Sequence, residues 1–210
     1  MGRTSTTANA LLGLLALRAS WSTYDVAGQI ARNLRFFWPR AQSRIYAEMK
    51  NLHTRGLAAA TEEPIGPVRN RTRYALTDRG RHELQTWLAT PPRGTVLESE
   101  PLLRVLLGEL GTREQLLVAI RQVRADADEI RSVGRTVGTE YVAGTAPFQD
   151  HAAVRALVYD FLLNLSAMFD DWSQRAEGIV TAWNDQDDET RSAEALRQIA
   201  DGLARIPDDH

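Results

Sequence analysis

Apolar residues in the first part of the chain recur with the spacing of α-helices. Residues 11–17 are apolar around most of a helical circumference, as expected for a helix buried among others. A second helix is predicted to begin at Ser22 or Thr23, because either hydroxyl can cap a first turn. We place Pro39 in the first turn of a third helix and Gly56 just beyond its end, the positions that these residues favour.

The pattern then changes to that of β-strands. Residues 57–63 and 72–77 are predicted to form two short strands, because a turn-rich Pro-Ile-Gly-Pro segment lies between them. Thr77 or Asp78 is predicted to cap a fourth helix. The order of helix, helix, helix, two-stranded hairpin and linking helix is that of a winged helix-turn-helix domain. We assign this domain to residues 1–92, since the Pro-Pro-Arg-Gly segment that begins at residue 91 has the composition of a linker.

The second half of the chain is predicted to be entirely helical. We expect one helix over 99–110, two long helices, and a tail helix from about residue 189 to residue 206. Thr112 and Gln115 have the spacing of a capping box at the start of the first long helix. The predicted fold class is thus mainly α, with residues 93–210 forming an all-helical dimerisation domain.

Both long helices carry apolar residues at alternating steps of four and three, a spacing typical of coiled-coil contacts. These stripes contain more apolar surface than one small domain is expected to bury. We therefore expect a second subunit to cover part of it. The residues that we expect to mediate dimerisation are Leu116, Ile120, Val123, Val158, Phe161, Leu165, Trp172, Ile179 and Trp183.

Charge separates the two halves of the chain. Residues 1–90 have 13 Lys and Arg against 6 Asp and Glu, whereas residues 91–210 have 12 against 21. Phosphate groups attract the first half and repel the second, so a nucleic acid is expected to bind only the N-terminal domain. The apolar fraction of 43% and the charged fraction of 25% are those of an ordinary globular protein. We expect no stretch that spans a membrane, no membrane partner and a cytoplasmic location.

Motifs of enzymes and metal sites are lacking in the sequence. There is no cysteine, which excludes disulfides, thiol nucleophiles and cysteine-ligated metals. The four histidines have neither HxxxH nor HExxH spacing, and the sequence contains no GxSxG, GxxxxGK[ST] or GxGxxG. We therefore predict no catalytic residues, no metal and no cofactor, in a protein that is not an enzyme.

The third predicted helix has the features of a recognition helix. At about 100° per residue, Ile45, Met49 and Leu52 share one face, and small, hydroxylated or cationic residues lie opposite. In the hairpin, three arginines at alternate positions are expected to lie on one face of a strand. The predicted DNA-binding residues are Arg40, Ser43, Arg44, Tyr46, Lys50, Arg69, Arg71 and Arg73.

Several short motifs resemble the PadR family of regulators, especially members with an AphA-like C-terminal domain. The motifs, which are ordered along residues 8–110, include Leu12-Gly13-Leu14-Leu15, Phe37-Trp38-Pro39, Ser43-Arg44-Ile45-Tyr46, Tyr74-Ala75-Leu76-Thr77-Asp78-Arg79-Gly80 and Leu102-Leu103-Arg104. The resemblance implies a dimeric, ligand-responsive regulator, usually a repressor, in which Ser43, Tyr46 and the wing arginines contact DNA. One departure leaves the geometry of the wing tip open: Val68 stands where the family commonly has a glycine, and Gly66 is displaced toward the strand.

The resemblance also implies an effector, since members of this family bind aromatic compounds between flat side chains. We expect a small aromatic or otherwise apolar effector, bound where domains or subunits meet. The residues considered for this role are Trp38, Trp87, His151, Tyr159 and Trp172. For Trp172 the alternative is packing at a helix or dimer interface, and for His151 and Tyr159 it is a place on the solvated face of a helix.

Together these observations predict a sequence-specific DNA-binding transcriptional regulator, a ligand-responsive repressor that binds a palindromic operator as a homodimer. The expected partners are double-stranded DNA, a second copy of the chain and the effector. The alternative is a helical interaction or ligand-sensing protein whose winged helix serves contacts with other proteins. The alternation of arginines in the hairpin argues against this alternative, because such a wing has little use away from a polyanion.

Overall fold

The computed structural model describes residues 4–65, 69–183 and 188–207. The chain divides into two compact units, Met1–Val96 and Leu97–His210. Buried apolar residues occur in both units, which is typical of separate domains. The boundary between the two units lies in an irregular segment that runs from residue 91 to residue 99. The domain boundary that we expect from the sequence, after residue 92, lies in this segment too.

The described part of the first unit contains four helices, and side-chain caps mark the start of three of them. The four helices are α1 (Thr6–Leu15), α2 (Thr23–Asn33), α3 (Gln42–Thr54) and α4 (Asp78–Leu88). The hydroxyls of Ser22 and Thr77 accept hydrogen bonds from backbone N–H groups in the first turns of α2 and α4, as predicted. The prediction for Pro39 is wrong, because α3 begins later, with Ala41 as its N-cap.

The core of the first unit is formed by the inner faces of its helices. Leu11, Leu12 and Leu15 of α1 are buried, which confirms that this helix is enclosed by others. Ile30 of α2 and Met49 of α3 are buried in the same unit. Burying an apolar side chain of this size contributes about 1.5–3 kcal/mol, so these residues hold α3 firmly against the domain.

Three strands form one antiparallel sheet in the order β1-β3-β2. They are β1 (Trp21–Ser22), β2 (Ala58–Ile65) and β3 (Arg69–Leu76). The hairpin of β2 and β3 confirms the predicted wing, but the expectation of only two strands is corrected by β1. A strand of two residues is too short to show an alternating pattern, and its Trp21 is 1% exposed. Residues 66–68, where the displaced wing glycine falls, lie outside the described residues.

The second unit is helical, as predicted. Its helices are α5 (Glu100–Leu106), α6 (Arg113–Val142), α7 (Ala152–Ala182) and α8 (Asp188–Leu203), with short 3-10 turns at Gly108–Leu110 and Gln149–His151. The capping box at the start of α6 is confirmed, because Thr112 and Gln115 each accept a hydrogen bond from the other's backbone N–H. The single helix expected over 99–110 is corrected: α5 ends at Leu106 and a 3-10 turn begins at Gly108, a residue with low helix propensity.

The two long helices pack against each other in opposite directions. Arg121, early in α6, pairs with Glu177 near the end of α7, whereas Gly138, late in α6, lies against the ring of Tyr159 near the start of α7. Further ion pairs join Arg124 to Glu177 and Arg131 to Asp170. The pair is therefore an antiparallel hairpin with a charged rim.

The apolar stripe of α6 is covered within the chain itself. Leu116, Ile120 and Val123 are buried, and the first two belong to a cluster with Val180 of α7. From the sequence we expect these three residues to contact a second subunit. That expectation is corrected, because they are buried within a single chain, where α7 packs against α6. Trp172 and Trp183 also pack on this cluster, as the packing alternative predicts for Trp172.

The opposite side of α7 stays uncovered within one chain. Val158, Phe161 and Ile179, all in the predicted stripe, are exposed, and Leu165 is half-buried. Further exposed apolar residues lie on α8, among them Leu196 and Leu203. Large exposed apolar patches mark surfaces of association. This part of the stripe is still exposed and apolar, so it remains available for the predicted contact with a second subunit.

Among the residues that the structure describes, one helical segment, Gln149–Ala182, is long and apolar enough to cross a membrane, judged by length and composition alone. The expectation that no stretch has this property is therefore wrong. The segment includes α7, whose Asp170 and Glu177 pair with arginines of α6. Residues of α7 thus pack against α6 on one side of the helix, and apolar residues form the exposed stripe on the other side.

Candidate nucleic-acid interface

The α3 helix has two chemically different faces. Ile45, Met49 and Leu52 are buried, which confirms the predicted core side. The opposite side consists of exposed residues that can donate hydrogen bonds, namely Ser43, Arg44, Tyr46 and Lys50. Hydroxyl, guanidinium and ammonium groups suit both phosphate oxygens and base edges. The helix therefore carries a polar surface with the chemistry of a DNA-recognition helix.

The one acidic residue in the α3 sequence lies away from the centre of this polar surface. Glu48 is half-buried, and its carboxylate accepts a hydrogen bond from the Asn51 side chain at 3.2 Å. A carboxylate in the middle of the exposed face would repel phosphate groups. Its position at the edge leaves the face without such repulsion.

Arg40 lies before α3 rather than on it. Its guanidinium carbon is 4.4 Å from the centroid of the Trp38 ring, the geometry of a cation–π contact, and its Nη1 donates to the Pro39 carbonyl at 2.5 Å. Arg40 is exposed, so its charge is available at the start of the helix. One face of the Trp38 ring is covered by this arginine.

A tight turn joins α3 directly to the wing. Gly56 follows the helix with φ of 70°, a conformation that glycine adopts without steric cost, and confirms the predicted helix end. The N–H of Leu57 donates to the carbonyl of Leu52 at 2.9 Å, which is the closing bond of a Schellman motif. His53 Nδ1 lies 3.1 Å from the Ala58 carbonyl and ties the last turn of α3 to β2. The wing is therefore fixed to α3 at short range.

The wing arginines differ in their surroundings. Arg71 Nη2 donates to Glu63 Oε2 at 2.9 Å, and both side chains are about half exposed. Arg73 donates to the hydroxyl and the carbonyl of Ser20, at 2.8 Å and 3.0 Å, and its Nη1 lies 3.6 Å from Glu63. The Arg69 backbone begins β3, but its side chain lies outside the described part of the structure.

Sequence reasoning identified these arginines and missed their partners Glu63 and Ser20. Glu63 faces Arg71 directly across the hairpin, and this pairing follows from the strand register. The hydrogen bond from Arg71 is the main reason that the pKa of Glu63 falls below its ordinary value of 4.5. The carboxylate is therefore ionised at neutral pH.

Metal ligation has no support in the described residues. Among them, no group of three or more histidine, aspartate or glutamate side chains could hold a metal ion.

No model of a known protein family matches the chain. The chain is 35% identical over 79 residues to the negative transcriptional regulator PadR of Bacillus subtilis, and 30% identical over 83 residues to the probable transcriptional regulator Rv1176c of Mycobacterium tuberculosis. These matches cover 38% and 40% of this chain, and the chain spans 43% of the length of each relative. The names of both relatives describe transcriptional regulation, not catalysis.

Solved structures extend the likeness to most of the chain. The PadR-like transcriptional regulator BC1756 of Bacillus cereus has a TM-score of 0.69 at 19% identity, over 84% of this chain and 99% of the other. PadR of Bacillus subtilis in complex with operator DNA has a TM-score of 0.65 at 21% identity, with the same coverage. The virulence activator AphA of Vibrio cholerae has a TM-score of 0.63 at 16% identity, again over 84% and 99%. This chain has the PadR fold. The resemblance stated from the sequence motifs is thereby confirmed.

Within this PadR fold, the residues considered for an effector do not come together as one set in a single chain. Tyr159 and Trp172 both lie on α7, and at 1.5 Å per residue they are separated by about 20 Å, too far to enclose one small molecule. Tyr159 packs on Gly138 of α6, and His151 is exposed at the end of a 3-10 turn.

In the first unit, Trp87 has a different environment. It lines an open cavity of about 630 Å³ together with Leu88, Arg93 and hydroxyl-bearing residues of the N-terminal segment. Trp38 is not among the lining residues of this cavity and instead carries the guanidinium of Arg40. Of the five residues considered, Trp87 therefore lines this cavity.

Proposed function

We propose that this chain is a sequence-specific DNA-binding transcriptional regulator that acts in the cytoplasm as a homodimeric repressor on a palindromic operator. The observation that carries the proposal is the arrangement of α3, in which Ile45, Met49 and Leu52 are buried while the donor-rich face is exposed. A helix of this kind, attached to a wing, suits insertion into a major groove. The PadR of Bacillus subtilis with the same fold has been solved with operator DNA.

Two surfaces contribute to DNA binding in different ways. The exposed residues Ser43, Arg44, Tyr46 and Lys50 face base edges and carry discrimination between sequences. Arg71 of the wing and Arg40 before α3 contact phosphates, which adds affinity that does not depend on sequence. The net positive charge of residues 1–90 favours the same orientation toward DNA.

The homodimer is proposed from the exposed apolar residues of the second unit. Val158, Phe161 and Ile179 remain uncovered on α7 after α6 has packed against its other side. Two copies related by a two-fold axis would place two recognition helices on half-sites about 10 base pairs, or a multiple of that, apart. A palindromic operator follows from that symmetry.

An effector is proposed to modulate this binding. One of the structures that share the fold is PadR of Bacillus subtilis in complex with p-coumaric acid, with a TM-score of 0.60. For this chain we propose a small aromatic or apolar compound, with Trp87 as the first residue to examine because it lines a cavity. Quenching of tryptophan fluorescence by such compounds, measured for wild type and Trp87→Leu, tests the site. Quenching without any change in operator affinity would refute regulation through it.

The decisive experiment is a mobility-shift assay of the full chain against genomic fragments, including the DNA upstream of its own gene. We expect one or more fragments to bind far more tightly than random duplex of equal length, typically by a factor of about 10³ or more. Ser43→Ala with Tyr46→Ala should lower this ratio, whereas Arg71→Ala should weaken operator and random binding by the same factor.

Two results would refute the proposal. Equal loss of operator and random binding in the Ser43 and Tyr46 variant would show that α3 does not discriminate between sequences. Failure of the folded wild-type chain to bind any duplex would instead favour the alternative function, in which the winged helix contacts other proteins.

A further inference from the structure

Glu63 lies in the wing directly opposite Arg71, to which the proposed function assigns a phosphate contact. The register of the hairpin pairs Glu63 with Arg71 and Glu62 with Thr72. Arg71 Nη2 lies 2.9 Å from Glu63 Oε2, and Arg73 Nη1 lies 3.6 Å from the same oxygen. A single carboxylate therefore faces two of the three wing arginines.

The sequence of the wing makes this arrangement costly for DNA binding. Residues 58–76 contain three arginines and two glutamates, so a hairpin rich in arginine has a net charge of only +1. A phosphate that approaches Arg71 meets a carboxylate already bound to that guanidinium. It must displace this carboxylate or accept its repulsion, and either effect removes part of the attraction that the arginine would otherwise supply.

Stability of the fold does not account for the pair. The side chains of Arg71 and Glu63 are 40% and 46% exposed, and exposed ion pairs contribute little to folding free energy. The wing strands are held by their backbone ladder over the full length of β2 and β3. The effect of Glu63 is therefore expected mainly on what approaches the wing from solvent.

We propose that Glu63 competes with DNA phosphate for Arg71, and so lowers the affinity of the wing for every duplex while sequence discrimination is left to α3. This inference rests on the proposed DNA-binding function and adds a regulating residue to that surface. A regulator whose wing binds any phosphate backbone weakly spends less time on random DNA, which is present in large excess over operators.

The test is the variant Glu63→Gln in the full chain, which keeps the shape and an acceptor oxygen but removes the charge. We expect its affinity for random duplex and for operator to rise by the same factor, about threefold to tenfold at moderate salt for each wing engaged. The slope of log affinity against log salt should become steeper by up to about one unit per wing, since the phosphate contact that Arg71 makes only part of the time in wild type is then made without competition.

Two variants serve as matched controls. Glu62→Gln makes the same change in net charge on the neighbouring residue, whose side chain accepts a hydrogen bond from Thr72 instead of an arginine, and it should leave both affinities nearly unchanged. In an Arg71→Ala background, Glu63→Gln should have a much smaller effect, because only the weaker contact of Glu63 with Arg73 remains. Thermal unfolding of each variant verifies that the fold is intact, and Glu63→Ala repeats the test with a second side chain.

Several outcomes would overturn the inference. Unchanged affinity in Glu63→Gln would show that the carboxylate does not compete, and lower affinity would show that it instead orients Arg71. An equal rise in Glu62→Gln would assign the effect to net charge alone. In each of these cases the wild-type chain still binds its operator, so the proposed function stands, whereas a wild type that binds no duplex refutes that function itself.

Discussion

Arg73 is bound to Ser20 through two hydrogen bonds, from Nε to the hydroxyl at 2.8 Å and from Nη2 to the backbone carbonyl at 3.0 Å. Ser20 directly precedes β1, and Arg73 itself pairs with Ser22 of β1 in the sheet. The guanidinium thus connects the wing to the segment that leads into α2. Arg71 and Arg73 lie two residues apart on one strand. Arg71 pairs with Glu63 inside the hairpin, whereas Arg73 bonds to Ser20 outside it.

Arg73→Ala should therefore destabilise the first unit. Hydrogen bonds that involve a charged group contribute about 1.5–3 kcal/mol, and partial exposure reduces this to roughly 1 kcal/mol of unfolding free energy. Denaturant unfolding of the full chain measures the change. Arg71→Ala is the control and should keep wild-type stability while it flattens the salt dependence of DNA binding. A stable Arg73→Ala with the same loss in salt slope would contradict this division.

Gly80→Ala should destabilise the winged helix more strongly. A Cβ on Gly80, in the first turn of α4, would overlap the backbone carbonyl oxygen of Leu57, and backbone cannot move aside as a flexible side chain can. Forcing an atom into a packed site of this kind costs about 1–3 kcal/mol. Gly28→Ala, in the middle of α2 with no atom near the added Cβ, should instead stabilise by up to about 1 kcal/mol. Thermal unfolding distinguishes the two, and a similar effect of both changes would show that helix propensity alone decides.

Acid should weaken the α6–α7 hairpin through Glu177. This carboxylate accepts hydrogen bonds from Arg121 at 2.7 Å and pairs with Arg124 at 2.9 Å. The bond from Arg121 is the main cause that lowers the pKa of Glu177 below its ordinary value of 4.5. A folded-state pKa below the unfolded one adds stability above the unfolded pKa, and this contribution is lost as pH falls through the folded value.

Thermal unfolding between neutral pH and about pH 3 measures this effect. Glu177→Gln should show a shallower loss of melting temperature below about pH 4.5 than wild type. Glu98→Gln, at an exposed position before α5, serves as the control and should follow the wild-type curve. Identical curves for wild type and Glu177→Gln would show that the ion pair does not contribute to the folded state.

Features that depend on a few adjacent residues were predictable from the sequence. The caps at Ser22, Thr77 and Thr112 follow from interactions within three residues. The buried side of α3 follows from the helical period, and the turn at Gly56 from the freedom of glycine to adopt positive φ. Each of these features depends only on residues that are close together in the sequence, so the sequence alone is enough to predict it.

Features that depend on pairing between distant segments were not predictable in the same way. The short β1 strand exists because it pairs with β3, some fifty positions along the chain. The contact of Glu63 with Arg71 needs the register of the hairpin. The apolar stripe at Ile120 has the spacing expected of a dimer seam, yet period alone does not say whether the covering helix belongs to the same chain or to another.

One side of α7 remains uncovered after this intramolecular packing. Phe161 is 54% exposed in a single chain, and its neighbours Leu157 and Val158 are 72% and 42% exposed. Phe161→Glu should therefore leave the α6–α7 hairpin folded, because no intramolecular core is lost, but it would place an unpaired charge in a subunit interface, a severe penalty when that interface is desolvated. We expect sedimentation at micromolar concentration to show a dimer for wild type and a monomer for this variant. Operator affinity should fall with it, since a single winged helix contacts only one half-site. Thr136→Glu, which adds the same charge at an exposed polar position of α6, is the control and should remain dimeric. A dimeric Phe161→Glu would place the subunit contact elsewhere, and a monomeric wild type would refute the homodimer altogether.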